Sequence, residues 1–207
     1  LGHVGGNELY RDFNIVACRK TREALLSRKE AIESGTWQGE PGINPLRLPD
    51  IVFESSLSIY LDDLEVALYN FNIHSEDSVC AYIPKYKILL PGDMLEDSAP
   101  YVTNPEGIPE HLKNFALLRQ LNVQRILPNH GRSVVIKSGG YSTGLIDFAA
   151  EYLADLHARL RANPTAAVPD LRTFAAKHFS KGTIHYWPPY EAVHEGNTER
   201  VRAFIKG

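Results

Sequence analysis

The chain has few cysteines and no long apolar run. Its 207 residues include only two cysteines, Cys18 and Cys80. Two cysteines cannot build a disulfide framework, and both lie in apolar, strand-like surroundings, so we interpret them as buried free thiols. No apolar run approaches the length of a membrane span. These absences argue against a disulfide-stapled domain and against a membrane-spanning protein.

Concentrated charge is also missing. The chain has 22 Lys and Arg against 25 Asp and Glu, a net charge of −3, and its basic residues are spread thinly. Nucleic acid is therefore not an expected partner. No signal peptide is visible, but a chain beginning Leu-Gly without Met is not expected to be an intact N-terminus. We expect a cytoplasmic protein with a small-molecule substrate, and leave homo-oligomerisation open.

The apolar residues alternate between strand-like and helix-like spacing, which indicates an α/β layered protein. Strands are predicted at 14–18, 51–53, 57–61, 64–71, 79–83, 86–90 and 124–127. Helices are predicted at 21–34, 109–121, 145–162, 170–179 and 189–205. We divide the chain into a sheet-containing domain, residues 1–142, and a helical C-terminal extension packed on it, residues 143–207.

Three short contexts look like corners of a metal site. They are residues 73–78 (IHSEDS), 90–97 (LPGDMLED) and 126–131 (ILPNHG). Each places a ligand-type side chain, His74, Asp93 or His130, at or just after the end of a short apolar run. Loops at strand ends can bring side chains together on a rigid support. Imidazole and carboxylate together suit zinc, iron or manganese.

These contexts resemble, in the right order, the later motifs of the metallo-β-lactamase superfamily. Those motifs are a His followed by Ser or Thr, a Gly-Asp after a strand, and a Pro-x-His-Gly after a strand. Residues 2–7 (GHVGGN) resemble the end of the family's first motif, His-x-His-x-Asp-His-x-Gly-Gly. The resemblance covers roughly residues 1 to 150 and implies an αβ/βα sandwich. Because the chain begins within the first motif, we expect that sandwich to lack its N-terminal strands.

The resemblance also implies a ligand set, from which the chain departs at one end. The first two histidines of the motif are absent, and Gly2 stands where the family has aspartate. By carry-over, one metal position keeps His74 and Asp93, while the other keeps His3, Asp93 and His130. A second alignment, with the motif ending before Leu1, would place His3 outside the ligand set.

The implied activity is a metal-dependent hydrolase. In the family, zinc, normally as two ions, supplies a metal-bound hydroxide, and Asp93 would be the catalytic residue that bridges the ions. Iron and manganese are alternatives. The substrate would be a small ester, lactone, lactam, thioester or phosphoester. The competing hypothesis is a non-catalytic remnant or partial chain that serves as a binding or interaction module.

Other polar and aromatic residues are assigned more weakly. Trp37, in the Gly- and Pro-rich loop at 35–49, either lines the substrate pocket or caps the core, and Tyr141 is a second candidate pocket residue. Glu96 and Asp97 either orient a metal ligand near Asp93 without binding the metal themselves or, as we favour, lie in a solvated loop. His111 is predicted to lie on a solvated helix face. The aromatic cluster at 185–190 (HYWPPY) either closes a pocket or, as we favour, packs at a helix junction.

Overall fold

A computed structural model describes residues 3–37 and 41–207. Gly2, which one alignment of the resemblance places at the family's aspartate, lies outside the described residues. Close contacts divide the chain into two compact units, Leu1–Leu57 and Ser58–Gly207. The sequence analysis predicted a division at 142/143 instead. That point falls inside the second unit, where the C-terminal helices and the larger sheet belong together.

The first unit pairs two short parallel strands across helical turns. After a 3-10 turn at Asn7–Tyr10, the chain forms β1 (Val16–Cys18), α1 (Arg19–Ser27), α2 (Lys29–Glu33) and β2 (Ile51–Phe53). Val16 pairs with Ile51. Helix was predicted at 21–34, but the chain starts its first helix at Arg19 and breaks at Arg28, whose φ of −116° lies outside the helical range.

The small core of the first unit explains the place of Trp37. Leu25, Ile32 and Leu46 are buried together, and Trp37 packs against them. The Arg28 guanidinium lies 5.3 Å from the centre of the Trp37 ring, a cation–π contact. These contacts support the core-capping interpretation of Trp37.

The second unit contains a five-stranded sheet in the order β3-β4-β5-β6-β7. The strands are β3 (Ser56–Leu61), β4 (Leu64–Asn70), β5 (Val79–Ile83), β6 (Ile88–Leu90) and β7 (Arg125–Ile126). β5 runs antiparallel to both β4 and β6, whereas β7 runs parallel to β6. It follows that β4, β6 and β7 all point the same way, so their carboxyl ends lie at one edge of the sheet.

Helices cover the sheet and supply most of the core. They are α3 (Ile108–Leu118), α4 (Ser133–Lys137), α5 (Gly144–Ala162), α6 (Leu171–Phe174), α7 (Ala176–Ser180) and α8 (Tyr190–Lys206), with 3-10 turns at Gly92–Met94 and Pro105–Gly107. α3 forms the crossover that parallel pairing of β6 and β7 requires. Its buried Phe115 and Leu118 join a core that includes Leu89 of the sheet and Phe148 of α5.

The sequence predicted most of these elements in type, and some details were wrong. β5 has the predicted bounds, while the helix predicted at 170–179 is two short helices and α4 was not predicted. In the part of the chain that the structure describes, no helix is both long enough and apolar enough to cross a membrane.

His111 was predicted to be solvated, and this is wrong. Its side chain is 2% exposed within α3, beside Phe115. Its Nε2 atom has no hydrogen-bond partner among the described residues. Burial, with the nearby His74 imidazole as a smaller cause, lowers the pKa of His111 below its usual value. The ring is therefore a neutral part of the core.

We expect His111→Ala to lower the free energy of unfolding by about 1–3 kcal/mol, because it removes a buried ring that the surroundings cannot fully replace. Urea denaturation would measure the change. Lys113→Ala on the same helix is the matched control: its side chain is 74% exposed, and the change should stay within about 0.5 kcal/mol. Equal stability of the two variants would contradict the buried assignment.

Candidate functional site

Three loops leave the same edge of the larger sheet, and each carries one predicted ligand. His74 follows β4, Asp93 follows β6 and His130 follows β7. The three side chains line one cleft of about 360 Å³, together with Glu96, Tyr101 and Tyr190. The three loops thus open onto one cleft, and the role of these side chains as metal ligands stays a prediction.

Asp93 and His130 are in direct contact. The Nε2 atom of His130 lies 3.4 Å from Oδ1 of Asp93. The amide Nδ2 of Asn129 donates a hydrogen bond of 3.1 Å to the same oxygen. Gly92 precedes Asp93 with a φ of +60°, in the left-handed region that favours glycine. The neighbouring loops are joined by a bond from Asn129 N to Gly92 O, 3.3 Å long.

His74 has a strained backbone. Its φ is +68°, which is uncommon for any residue with a side chain. The Ser75 amide donates 2.8 Å back to the Ile73 carbonyl, so His74 is the central residue of a γ-turn with positive φ, a rare form. The Thr103 hydroxyl donates to the His74 carbonyl and helps to hold this turn. Strain of this kind clusters at functional sites.

The donors suit a transition metal in kind but do not form a closed site. Among residues 3–37 and 41–207, no group of three or more His, Cys, Asp or Glu side chains is arranged to hold a metal ion. The Asp93–His130 pair supplies two adjacent donors, and His74 lines the same cleft. Three protein ligands would be needed for a catalytic zinc site. The arrangement therefore does not fit a complete metal centre.

His3 belongs to the other compact unit. It is exposed in a turn near the start of the described residues. Its assignment as a ligand of the second metal position stays a prediction, as does the assignment of Trp37 to a substrate pocket.

The loop after Asp93 is buried, contrary to the predicted solvated loop. Glu96 is 5% exposed and Asp97 is 4% exposed. The Tyr190 hydroxyl donates 3.0 Å to Glu96 Oε2. Burial is the main reason that the pKa of Glu96 is raised from 4.5 to about 7, and the Asp93 carboxylate also raises it. The sequence suggested solvation because both residues are charged, and only the tertiary fold reveals their partners.

Asp97 fastens Tyr141 and His185 to this loop. The Tyr141 hydroxyl donates 2.6 Å to Asp97 Oδ2, and His185 Nδ1 lies 3.0 Å from the same oxygen. Tyr141 is only 4% exposed, and its hydroxyl accepts a bond of 2.7 Å from Arg132 N. Tyr141 thus connects Asp97 to the loop that follows His130 by hydrogen bonds. This position differs from the predicted role as a pocket wall.

His185 is a residue that the sequence analysis left as packing. It lines a second cavity of about 550 Å³, whose walls also include His130, Arg132, Trp187 and Tyr190. The aromatic cluster at 185–190 therefore contributes to a cavity as well as to packing. The density of aromatic residues was the signal for it, but that signal is shared with ordinary helix junctions.

Comparison with known proteins identifies the fold. No protein-family model matches the chain, and no curated protein matches it by sequence. Solved structures do match. A metallo-β-lactamase from Pontibacter korlensis is 19% identical, with a TM-score of 0.54 over 73% of this chain and 64% of that one. A metallo-β-lactamase family protein from Thermus thermophilus is 13% identical, with a TM-score of 0.51 over 74% and 56%.

These likenesses show that the chain has the metallo-β-lactamase fold, a mixed α/β architecture that here ends in a long C-terminal helix. The fold predicted from the sequence motifs is confirmed. The chain spans less than two thirds of the length of either matched protein.

The buried Glu96 makes stability depend on pH. Because its folded pKa is above the ordinary value of 4.5, the folded state binds the proton more tightly, and stability falls as pH rises from about 4.5 to about 7. Glu96→Gln cannot ionise. In chelator-treated protein we expect this variant to gain about 1–3 kcal/mol relative to the unmodified chain across that interval.

Urea unfolding at a series of pH values would measure the gain. Glu106→Gln, a change at an exposed glutamate, is the matched control. A constant difference between Glu96→Gln and the unmodified chain at all pH values would refute a buried, proton-binding Glu96.

Proposed function

We propose that this chain carries the catalytic edge of a metal-dependent hydrolase that acts on a small ester, lactone, lactam, thioester or phosphoester. The observation that carries the proposal is the meeting of His74, Asp93 and His130 at one cleft of a metallo-β-lactamase fold. These residue types bind zinc, and at a hydrolytic centre zinc supplies Lewis acidity and a water of lowered pKa.

The chain's own residues would orient the donors. Asn129 holds the Asp93 carboxylate by a hydrogen bond to Oδ1. The γ-turn fixes the backbone of His74, with the Thr103 hydroxyl on its carbonyl. Outer-sphere contacts of this kind set the direction of ligands and are worth about 10–100-fold in metal affinity or activity. Glu96, with a pKa of about 7, could hold or release a proton at the cleft wall near neutral pH.

The second candidate function is a binding module without catalysis. It is favoured by one observation, that the described residues contain no group of three side chains arranged around a metal. A retained cleft without a metal centre would still bind a small molecule. Metal content separates the two proposals, because only the hydrolase needs an ion.

We expect the 207-residue chain, purified and equilibrated with Zn²⁺, to bind no more than one equivalent, since the donors among its described residues do not complete two sites. Elemental analysis after removal of free metal would give the stoichiometry. Two tightly held ions would contradict this proposal of incomplete ligation. No bound ion would instead favour the binding module.

Asp93→Ala should lower metal content and reduce hydrolysis by more than about 100-fold, because Asp93 contacts His130 and is the carboxylate among the three donors. Stability should change little, since a cleft carboxylate buries little apolar area. The assay is turnover of a lactone, thioester and phosphodiester panel, with metal analysis alongside.

Asp63→Ala is the control for this comparison, because Asp63 is an exposed carboxylate at a hairpin, 84% exposed on its side chain. That variant should keep full activity and metal content. Full activity in Asp93→Ala would end the hydrolase proposal.

A further inference from the structure

A cavity lies beside the cleft and shares walls with it. Its volume of about 550 Å³ is in the usual range for small-molecule sites. His130 and Tyr190 line both spaces, so the cavity adjoins the cleft at the Asp93–His130 pair. A molecule whose reacting group reached the cleft could place its remaining part in this cavity. Such remote contacts are where an enzyme obtains binding energy for its reaction.

The imidazole of His185 lines the cavity and is hydrogen-bonded to the buried carboxylate of Asp97. Oδ1 of Asp97 accepts from the backbone amides of Ser98, at 2.8 Å, and His185, at 2.6 Å. Oδ2 accepts from the Tyr141 hydroxyl at 2.6 Å, and His185 Nδ1 lies 3.0 Å away. The ring of His185 is therefore fixed at its backbone and at its Nδ1 atom.

These contacts determine which ring nitrogen carries the hydrogen. A backbone amide can only donate, and a carboxylate can only accept. The Tyr141 hydroxyl accepts from Arg132 N, so its own hydrogen is directed at Asp97. Asp97 is thus an acceptor in each contact, and His185 Nδ1 must donate to it. In the neutral ring this leaves a lone pair on Nε2. Across the described part of the chain, the structure shows no hydrogen bond to that atom.

The cavity is also lined by exposed apolar side chains. Trp187 is 58% exposed although it is the largest side chain type, and its ring centre lies 5.5 Å from that of Tyr190. Val134, which also lines the cavity, is 67% exposed. Large exposed apolar side chains gathered around a cavity with few oriented polar groups are typical of a ligand site.

We propose that His185 is a substrate-binding residue, and that the cavity takes a molecule whose apolar part rests on Trp187 and whose hydroxyl or amide N–H donates a hydrogen bond to Nε2 of His185. The inference deepens the proposed function, since it names the chemistry of that substrate. Its test is made by binding alone and does not depend on hydrolysis or on metal.

The first measurement uses the unmodified chain. Nitrogen-15 spectra of histidine-labelled protein, in mildly alkaline buffer that favours neutral imidazoles, should show His185 with hydrogen on Nδ1 and a lone pair on Nε2. The opposite tautomer would overturn the proposal, because Nε2 would then be a donor. No substitution is needed, so this result is independent of any folding defect.

The second measurement compares two probes that differ in one hydrogen-bond donor, 2-phenylethanol and its methyl ether. Chemical-shift titration of the unmodified chain should show about fivefold tighter binding of the alcohol, the size expected for one net hydrogen bond. The shift of His185 Nε2 should move with the alcohol and not with the ether.

His185→Asn is the informative variant. The Asn side-chain Nδ2 can still donate to Asp97 in place of Nδ1. Its Oδ1 then lies in the place of the ring Cδ2, so no acceptor stands where Nε2 was. We expect the preference for the alcohol to vanish while both probes still bind. His157→Gln, a change at a histidine of α5 outside the cavity walls, should keep the preference. Equal binding of the two probes by the unmodified chain, or a preference that survives in His185→Asn, would overturn the proposal.

Failure of this inference and failure of the hydrolase proposal give different results. A chain without turnover or metal that still prefers the alcohol through His185 keeps the binding site and loses only the enzyme. A chain that hydrolyses the panel but treats both probes alike keeps the enzyme and loses the role of His185.

Discussion

The shared direction of β4, β6 and β7 is the constraint on which the site depends. β5 runs antiparallel to both of its neighbours, and β7 is parallel to β6, so three strands end at one edge. The loops that follow them carry His74, Asp93 and His130 to the same cleft. If one of these strands ran the other way, its ligand-type residue would lie at the far edge of the sheet. The crossover through α3 is what permits the parallel pair.

A second constraint is the buried carboxylate of Asp97, which joins segments that are distant in sequence. It binds Tyr141 and His185, and its backbone amide donates 3.0 Å to the His130 carbonyl. A buried charge is stable only when it is fully hydrogen-bonded, so these partners must stay in place together. Asp97 thereby helps to fix the cleft that holds Asp93 relative to the cavity that holds His185.

The sequence could predict the polar residues that follow the strands, but not the contacts between residues on different loops. His74, Asp93 and His130 were predictable because each stands in a short local motif after an apolar run. His185 and Asp97 lie far apart in the chain, and neither context is distinctive, so their pairing arises only from the tertiary fold. His111 was misjudged for a related reason: a polar side chain on an amphipathic helix looks solvated until the helix is packed. The helix break at Arg28 was likewise missed, because no Gly or Pro stands there to indicate it.

The strain and the buried acid around the cleft support the proposal that this edge of the sheet is a functional site. A residue with a side chain at positive φ, such as His74, costs about 1–3 kcal/mol, and a buried acid such as Glu96 destabilises the fold above its unfolded pKa. Both costs fall at the same cleft, beside the Asp93–His130 pair. The positive φ values of Asp62 and Lys87 lie instead in the turns that join neighbouring strands of the sheet. Proteins tolerate such local violations where a ligand or a reaction requires them. A chain shaped by stability alone would be expected to place glycine at position 74 and an apolar residue at position 96.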